Sequence, residues 1–293
     1  MRAKKFSWSK LIINIFFIFV SFCMIAPLVL VIAISLTDEA MLIENGYRFI
    51  PEEIDLTAYR VLFESGGQLL RAYRVTIAVT IVGTAASVFF VSLTGYVISR
   101  RDFQFRGLLT FLIFFTILFS GGLVPTYILI TRYLKLKNKF AVLILPIVFN
   151  PFLVLVARGF FAQIPRAIIE SAKLDGASEF RIFLQIVLPL SKPILATLTV
   201  ILSFMYWNNW WQALLYMDDP RMAPLQLLLW RMMNQVQFIA SNPELRDTLQ
   251  IAELPTLSLR MAMVVLAAGP VMFIFPFLQN YFIKGLTLGA QKN

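Results

Sequence analysis

Hydrophobic positions in this chain fall into long unbroken runs, without the alternation or 3.6-residue stripe of half-buried soluble elements. Six stretches contain no Asp, Glu, Lys or Arg: Leu11–Thr37, Val75–Ser99, Gly107–Thr131, Phe140–Ala157, Pro193–Met217 and Met261–Ile283, of 27, 25, 25, 18, 25 and 23 residues. A helix that crosses a membrane needs about 20 mostly apolar residues, because each residue adds only ~1.5 Å along the axis. All six runs therefore read as spans, at 11–37, 75–99, 107–131, 140–160, 193–217 and 261–283, the fourth continuing past Arg158. The prolines and glycines inside them, among them Pro27, Gly83, Gly121, Pro146, Gly269 and Pro276, are tolerated where neighbouring helices satisfy the freed backbone groups. The pattern predicts an all-α, polytopic membrane protein, with one transmembrane domain of six transmembrane helices over 1–293.

Composition turns this pattern into a requirement. Hydrophobic residues make up 59% of the chain and charged residues 14%, against roughly 45–50% and 25% in soluble domains. So much apolar side chain cannot be hidden inside a soluble body of this size, so its outer surface faces lipid. The first run has some features of a secretory signal: Arg2, Lys4, Lys5 and Lys10 precede it and Ala33-Ile34-Ser35 resembles a cleavage site. Its apolar stretch is far longer than the usual core of about 7–15 residues, so it is read as a retained span.

The formal net charge is +10. The basic residues are spread through short gaps between runs, not gathered on one face, so nucleic acid is not expected as a partner. With a cytoplasmic N-terminus, segments 1–10, 100–106, 158–192 and 284–293 hold 14 basic and 4 acidic residues, and segments 38–74, 132–139 and 218–260 hold 12 and 12. Lys and Arg set orientation, and their clusters at the N-terminus and at Arg100-Arg101 place both termini in the cytoplasm. The loop of Arg132, Lys135, Lys137 and Lys139 runs against this; contact with an acidic partner is the one account it suggests.

The residues also exclude several chemistries. There is no histidine and one cysteine, Cys23. That removes Ser-His-Asp and Cys-His catalysis, a His/Cys zinc site and any disulfide within the chain. No run contains an ionisable Asp, Glu, Lys or Arg. Such a charge costs at least ~2.5–3.5 kcal/mol at the bilayer centre, and ion-coupled carriers commonly keep one for function. No Gly-x-x-x-x-Gly-Lys-Ser/Thr loop is present, so ATP hydrolysis is not this chain's own. The chain reads as a transport subunit and not an enzyme, with no cofactor or metal of its own and with energy supplied by another subunit.

The gap Arg158–Lys192 carries a pattern of its own. Pro165 suits the first turn of a helix, where a missing N–H is not needed. Ile168, Ile169 and Ala172 share a face. Gly176 can take positive φ and end that helix, and Asp175 is placed to cap the next. There Phe180, Phe183, Leu184, Val187 and Leu188 recur at i, i+3, i+4, i+7 and i+8. Pro189 and Pro193 then kink the chain towards the fifth span. The expected product over 162–190 is a short helix–turn–helix reaching into the cytoplasm. Its apolar face suits a groove on a partner protein; an amphipathic helix lying on lipid fits the same pattern.

Glu170-Ser171-Ala172, then Asp175-Gly176-Ala177, then Ile186-Val187-Leu188-Pro189 resemble the EAA loop of binding-protein-dependent ABC importers. Gly176 and Ile186 keep that family's spacing, and Ser171 stands where Ala is usual. Over most of its length the chain is similar to the maltose-type sugar permeases. Gly121-Gly122-Leu123-Val124-Pro125-Thr126-Tyr127 and Lys284-Gly285-Leu286-Thr287-Leu288-Gly289 look like the subgroup linked to aldouronates and other complex oligosaccharides.

The resemblance implies the type I importer permease fold in a bacterial plasma membrane. It implies a second homologous permease, two ATPase subunits that hold ATP and Mg, and an extracellular sugar-binding protein or lipoprotein. On that pattern Glu170 makes a polar contact to the ATPase, Gly176 permits the turn, and Leu188-Pro189 anchors the loop to the fifth span. Ser171, Ala172, Asp175, Ala177 and Ile186 complete the matched coupling set. An ABC permease for a non-sugar solute and an ion-coupled secondary carrier are the other readings, and a carrier has no use for such a loop.

The fifth run ends in Tyr206-Trp207-Asn208-Asn209-Trp210-Trp211-Gln212. Asn and Gln in a membrane usually face protein or a cavity, and sugars bind aromatic faces and amides. At helical spacing Trp207 and Trp211 share one face, and Asn208 and Gln212 the adjacent one. The segment reads as a substrate-pathway patch of Tyr206, Trp207, Asn208, Asn209, Trp211 and Gln212, or as an aromatic belt at the membrane interface. The segments 38–74 and 218–260 are expected outside. The second is expected to hold turns and short helices because of Pro220, Pro224, Pro243 and Pro255, with an interfacial helix at Leu225–Trp230.

Overall fold

The computed structural model describes residues 8–64, 67–242 and 255–272. Arg2, Lys4 and Lys5, Pro243, the 273–283 part of the sixth run with Pro276, and the Lys284–Gly289 motif lie outside the described residues. Among the described residues there is no strand, only an isolated bridge between Thr37 and Ile54. In chain order the helices are α1 (Trp8–Ser35), α2 (Glu39–Asn45), α3 (Thr57–Phe63), α4 (Gln68–Ser99), α5 (Arg106–Leu118), α6 (Leu123–Ile128), α7 (Leu145–Val148), α8 (Pro151–Phe161), α9 (Arg166–Leu174), α10 (Glu179–Ile182), α11 (Leu188–Leu190), α12 (Lys192–Trp207), α13 (Trp211–Tyr216), α14 (Leu225–Ala240) and α15 (Thr256–Met272).

Among the described residues, only α1 and α4 are long and apolar enough to cross a membrane unbroken. Three bent pairs meet the same test: Arg106–Leu118 with Leu123–Tyr133 at 113°, Phe140–Val148 with Pro151–Phe161 at 51°, and Glu179–Leu190 with Lys192–Trp207 at 85°. By length and composition this gives two to five spans among the described residues, where the runs led to an expectation of six. The expected continuous helix over 107–131 is broken because Phe119 is extended and Gly122 turns at φ 85°. In the 140–160 run the Asn150 side chain accepts the Leu153 N–H at 3.0 Å and starts α8 afresh. The 193–217 run breaks after Trp207, with Asn208 as the helix end and α13 starting at Trp211.

The described residues divide into two compact units, one built from 8–64 with 231–242 and 255–271 and the other from 68–230. In the first, only Ala33, Ile34 and Ser35 of α1 are buried. Phe16, Phe17, Phe19 and Phe22 are each more than half uncovered, a surface that suits lipid and not water. The segment expected as the loop 38–74 holds α2, α3 and the start of α4. Glu39 caps α15 across more than 200 residues of sequence. Its carboxylate accepts the Leu257 and Ser258 N–H groups at 2.8 and 3.0 Å and the Thr256 and Ser258 hydroxyls at 3.0 Å each. A carboxylate there satisfies N–H groups that lack helical partners and meets the positive end of the helix dipole.

In the second unit α4 packs against α8 and α12. Glycines allow the approach, as small residues do in membrane helix pairs. A Cβ on Gly95 would lie 2.9 Å from the Ala157 Cβ and 3.1 Å from the Arg158 nitrogen, and one on Gly83 would lie 2.6 Å from the Tyr206 ring. The Tyr206 hydroxyl hydrogen-bonds Ser87 at 2.8 Å and donates to the Ile144 carbonyl at 3.2 Å. The Thr76 hydroxyl oxygen accepts the Leu225 N–H at 2.7 Å and fixes the start of α14. That helix overturns the expectation of turns and an interfacial Leu225–Trp230 segment: it runs 16 residues, and Leu225, Leu227, Leu228 and Leu229 are buried. Pro220 and Pro224 precede α14, so they border it without interrupting it.

The basic loop 132–139 also has an account within the chain. The Asn138 side-chain oxygen accepts the Asp218 N–H at 2.7 Å, the Asn138 N–H donates to the Tyr216 carbonyl at 3.0 Å, and Lys137 pairs with Asp218 at 2.8 Å. Asn138 takes φ 59°, a conformation Asn tolerates better than most residues.

Candidate functional site

The 162–190 segment folds as two short helices about a glycine turn. α9 ends at Asp175; Gly176 follows at φ 79°. The Gly176 N–H donates to the Lys173 carbonyl and the Ala177 N–H to the Ala172 carbonyl, both at 3.0 Å. These two bonds define a Schellman end and satisfy carbonyls that α9 would otherwise leave open. The expected cap of the next helix is corrected. Asp175 closes α9, and Ser178 caps α10 by accepting the Arg181 N–H at 3.4 Å. Pro165 sits one position before the first helical residue.

The apolar faces are used differently from the sequence reading. Ile169 and Ala172 are buried against this chain's own core with Ile182, Phe183 and Val187, so they are not free for a partner's groove. Ile168 and Phe180, expected on the same faces, are exposed. The i, i+3, i+4 pattern fails because Phe183–Val187 form a π turn, with the Leu188 N–H reaching back to the Phe183 carbonyl. Pro189 follows at once, and a proline ring has no N–H and crowds the carbonyl four residues earlier, which the wider turn relieves. The outward face of the segment carries Glu170, Ser171 and Leu174, the last 89% exposed. Ala177, Ile186 and Leu188 are half-buried against the core, and Pro189 is exposed at the bend into α12.

A chain of four charges joins this segment to the end of α4. Arg100 grips Asp102 with two N–H groups, at 2.9 and 2.6 Å. Lys173 of α9 reaches the same carboxylate at 2.9 Å and Glu179 of α10 at 2.5 Å. The Arg100 guanidinium lies 5.8 Å from the Tyr96 ring centre, and Tyr96 stacks on Phe183 at 5.5 Å. Hydrogen bonds from Arg100 hold the Asp102 carboxyl far below the usual carboxylate range, and the Glu179 and Asp102 partners push the Lys173 ammonium up. Arg100, Asp102 and Lys173 therefore stay charged near neutral pH. Exposed ion pairs add only about 0–1 kcal/mol each, but a bidentate Arg–carboxylate contact fixes geometry as well.

Two cavities flank this chain of charges. One of about 430 Å³ lies among Leu93, Tyr96, Phe103, Phe180 and Phe183. The other, about 400 Å³, is lined by Arg100, Arg101, Arg166, Glu170 and Lys173. The sequence marks Arg100 only as part of the orienting Arg100-Arg101 cluster and does not mark Asp102 as a site residue. The two partners of the central pair are 71 residues apart, and no local pattern links them; the signal was Asp102 as the lone acid among Arg100, Arg101 and Arg106.

The second predicted patch does not assemble on one helix face. α12 ends at Trp207 and α13 begins at Trp211, so the spacing argument for Trp207 with Trp211 and for Asn208 with Gln212 fails. Tyr206, Trp207 and Asn209 are buried. The Asn209 side chain donates to the Leu143 carbonyl at 3.2 Å and accepts the Gln212 N–H at 3.3 Å, which holds the break in place. Trp210 stacks on Trp230 at 5.7 Å. Asn208 and Trp211 are exposed and Gln212 is half-buried.

No family model matches the chain. It is 39% identical over 268 residues to the protein LplC of Bacillus subtilis (strain 168), covering 92% of this chain and 89% of that one. It is 37% identical over 287 residues to the polygalacturonan/rhamnogalacturonan transport system permease protein YtcP of the same organism, covering 97% and 98%. A crystal structure of a bacterial ABC transporter involved in the import of the acidic polysaccharide alginate contains a similar chain, with a TM-score of 0.80 and 26% identity over 96% of this chain and 100% of that one.

Proposed function

The chain belongs to the permease subunits of carbohydrate ABC importers, and on that footing we propose that it couples to separate ATPase subunits through the 162–190 loop and carries an acidic or otherwise complex oligosaccharide. The observation that supports the coupling role is the Schellman-ended pair α9–α10. Its inner face is packed on the chain's own core, while Glu170, Ser171 and Leu174 point away from it. A rigid, outward-facing knob of this kind passes on a push without deforming. The acidic substrate class rests on the polysaccharides for which YtcP and the alginate importer are named.

In this reading the chain pairs with a second homologous permease in a bacterial plasma membrane, both termini in the cytoplasm. ATP and Mg sit on the ATPase partners, and an extracellular sugar-binding protein or lipoprotein delivers the substrate. Asn208, Trp211 and Gln212 face the sugar path, and Tyr206, Trp207 and Asn209 hold the break that presents them.

A photo-crosslinking amino acid at Leu174, the most exposed apolar position of the segment, tests the coupling role. The expected product in native membranes is a covalent adduct with the ATPase subunit, lost when the probe moves to Phe16 on the uncovered side of α1. Adducts to lipid alone from position 174 would overturn the assignment.

A further inference from the structure

We propose that Asp102 is a positioning residue: it clamps the coupling helix α9 to the end of α4, so that movement of α9 is passed to a span to which it has no sequence neighbour. The inference rests on the reading of 162–190 as the coupling loop and adds a second route by which that loop drives the membrane part. Along the chain, α9 is joined only to α8 and to α10. A helix of nine residues does not stand alone in water, and α9 is docked by just two buried side chains, Ile169 and Ala172.

Asp102 supplies the attachment that the chain itself lacks. One carboxylate receives Arg100 at 2.6 and 2.9 Å and Lys173 at 2.9 Å, and Lys173 continues to Glu179 at 2.5 Å. The strut is anchored at its α4 end: the Arg100 side chain is only 15% exposed and lies over Tyr96, which packs on Phe183 and Phe161. It is open at its α9 end, where Lys173 and Asp102 are 36% and 54% exposed. Such exposed pairs contribute little to stability. They form and break without repacking a core, which suits a joint that bears load in one state and yields in another.

The test uses the whole importer, co-expressed and reconstituted in proteoliposomes with ATP inside the ATPase-accessible compartment. The readout is sugar moved per ATP hydrolysed. Asp102→Asn is expected to keep the ATPase subunit bound and hydrolysing while transport per ATP falls at least five-fold. Lys173→Gln should give the same loss; its helix stays docked through Ile169 and Ala172, so folding is not at stake. The double variant should be no worse than either single one, as for two halves of one contact, and Asp102→Glu should recover most of the ratio. An unchanged ratio in both single variants would overturn the proposal, as would additive losses or loss of the ATPase from Asp102→Asn complexes. Failure of the underlying coupling reading shows separately, as absence of the ATPase adduct from position 174.

Discussion

Gly176→Pro is expected to abolish ATP-driven uptake, by more than ten-fold, while the chain stays in the membrane at its normal level. Gly176 sits at φ 79° and its N–H closes the Schellman end on Lys173. Proline holds φ near −65° and has no N–H, so it forbids both features. The turn would open, and Lys173 would separate from Glu179 and from Asp102. Bulk is not the cause, because nothing lies within 4 Å of where a Cβ at Gly176 would be. A graded series makes the conformational origin visible. Asn tolerates the left-handed region and should keep most activity; Ala pays about 1–2 kcal/mol for it and should keep less. An ordering by side-chain size, or wild-type uptake with proline, would refute the role of the turn. Quantitative immunoblots of membranes check that insertion is unchanged.

Gly95→Leu is expected to have the larger effect on the fold itself. The position faces α8 with the Ala157 Cβ at 2.9 Å and two backbone atoms, the Arg158 nitrogen and the Val154 oxygen, at 3.1 and 3.2 Å from a Cβ. Backbone of a packed helix does not swing aside as a side chain end does, so α4 and α8 must part. Overpacking of this kind costs about 1–3 kcal/mol or more. The pair also carries Val91, Tyr96, Val154 and Phe161 of the core that holds α9, so the loss reaches the 162–190 loop. The purified variant should melt several degrees lower in detergent and be recovered in lower yield. Gly159→Leu is the control: a Cβ there meets nothing within 4 Å, and its melting should match the parent within error. Equal behaviour of the two variants would contradict the close approach at Gly95.

The parts legible in the sequence were those set by local chemistry. Runs without charges located α1 and α4, and Asp-Gly located the turn between α9 and α10. The misreadings have a common cause. In an apolar run every position looks alike, so the bends at Phe119–Gly122, Phe149–Asn150 and Asn208–Trp210 left no periodicity to lose. They showed only as residues that also occur inside straight membrane helices. Asp175 and Ser178 are both good caps. The choice between them followed from the Schellman hydrogen bonds, which use 175–177 as the end of the first helix.

Prolines in the 218–260 segment suggest breaks, but Pro220 and Pro224 precede an ordered α14. The links from Asp102 to Lys173 and from Glu39 to α15 join residues far apart in sequence. Such pairs are set by packing, and no local pattern links the two partners, even where one of them stands out as Asp102 does among its arginines. A helix break lies between Trp207 and Trp211, so helical spacing misplaced Asn208 relative to Gln212.

The central claim is that this chain is one permease of an assembly whose energy comes from elsewhere. Its most direct test is affinity purification of the tagged chain from its native membrane in mild detergent, followed by mass spectrometry of the bound chains and uptake assays in liposomes. The expected result is a second homologous permease, an ATPase and a sugar-binding protein or lipoprotein, with uptake that stops when ATP is withheld. Recovery of this chain alone, still moving solute in liposomes without ATP, would contradict it.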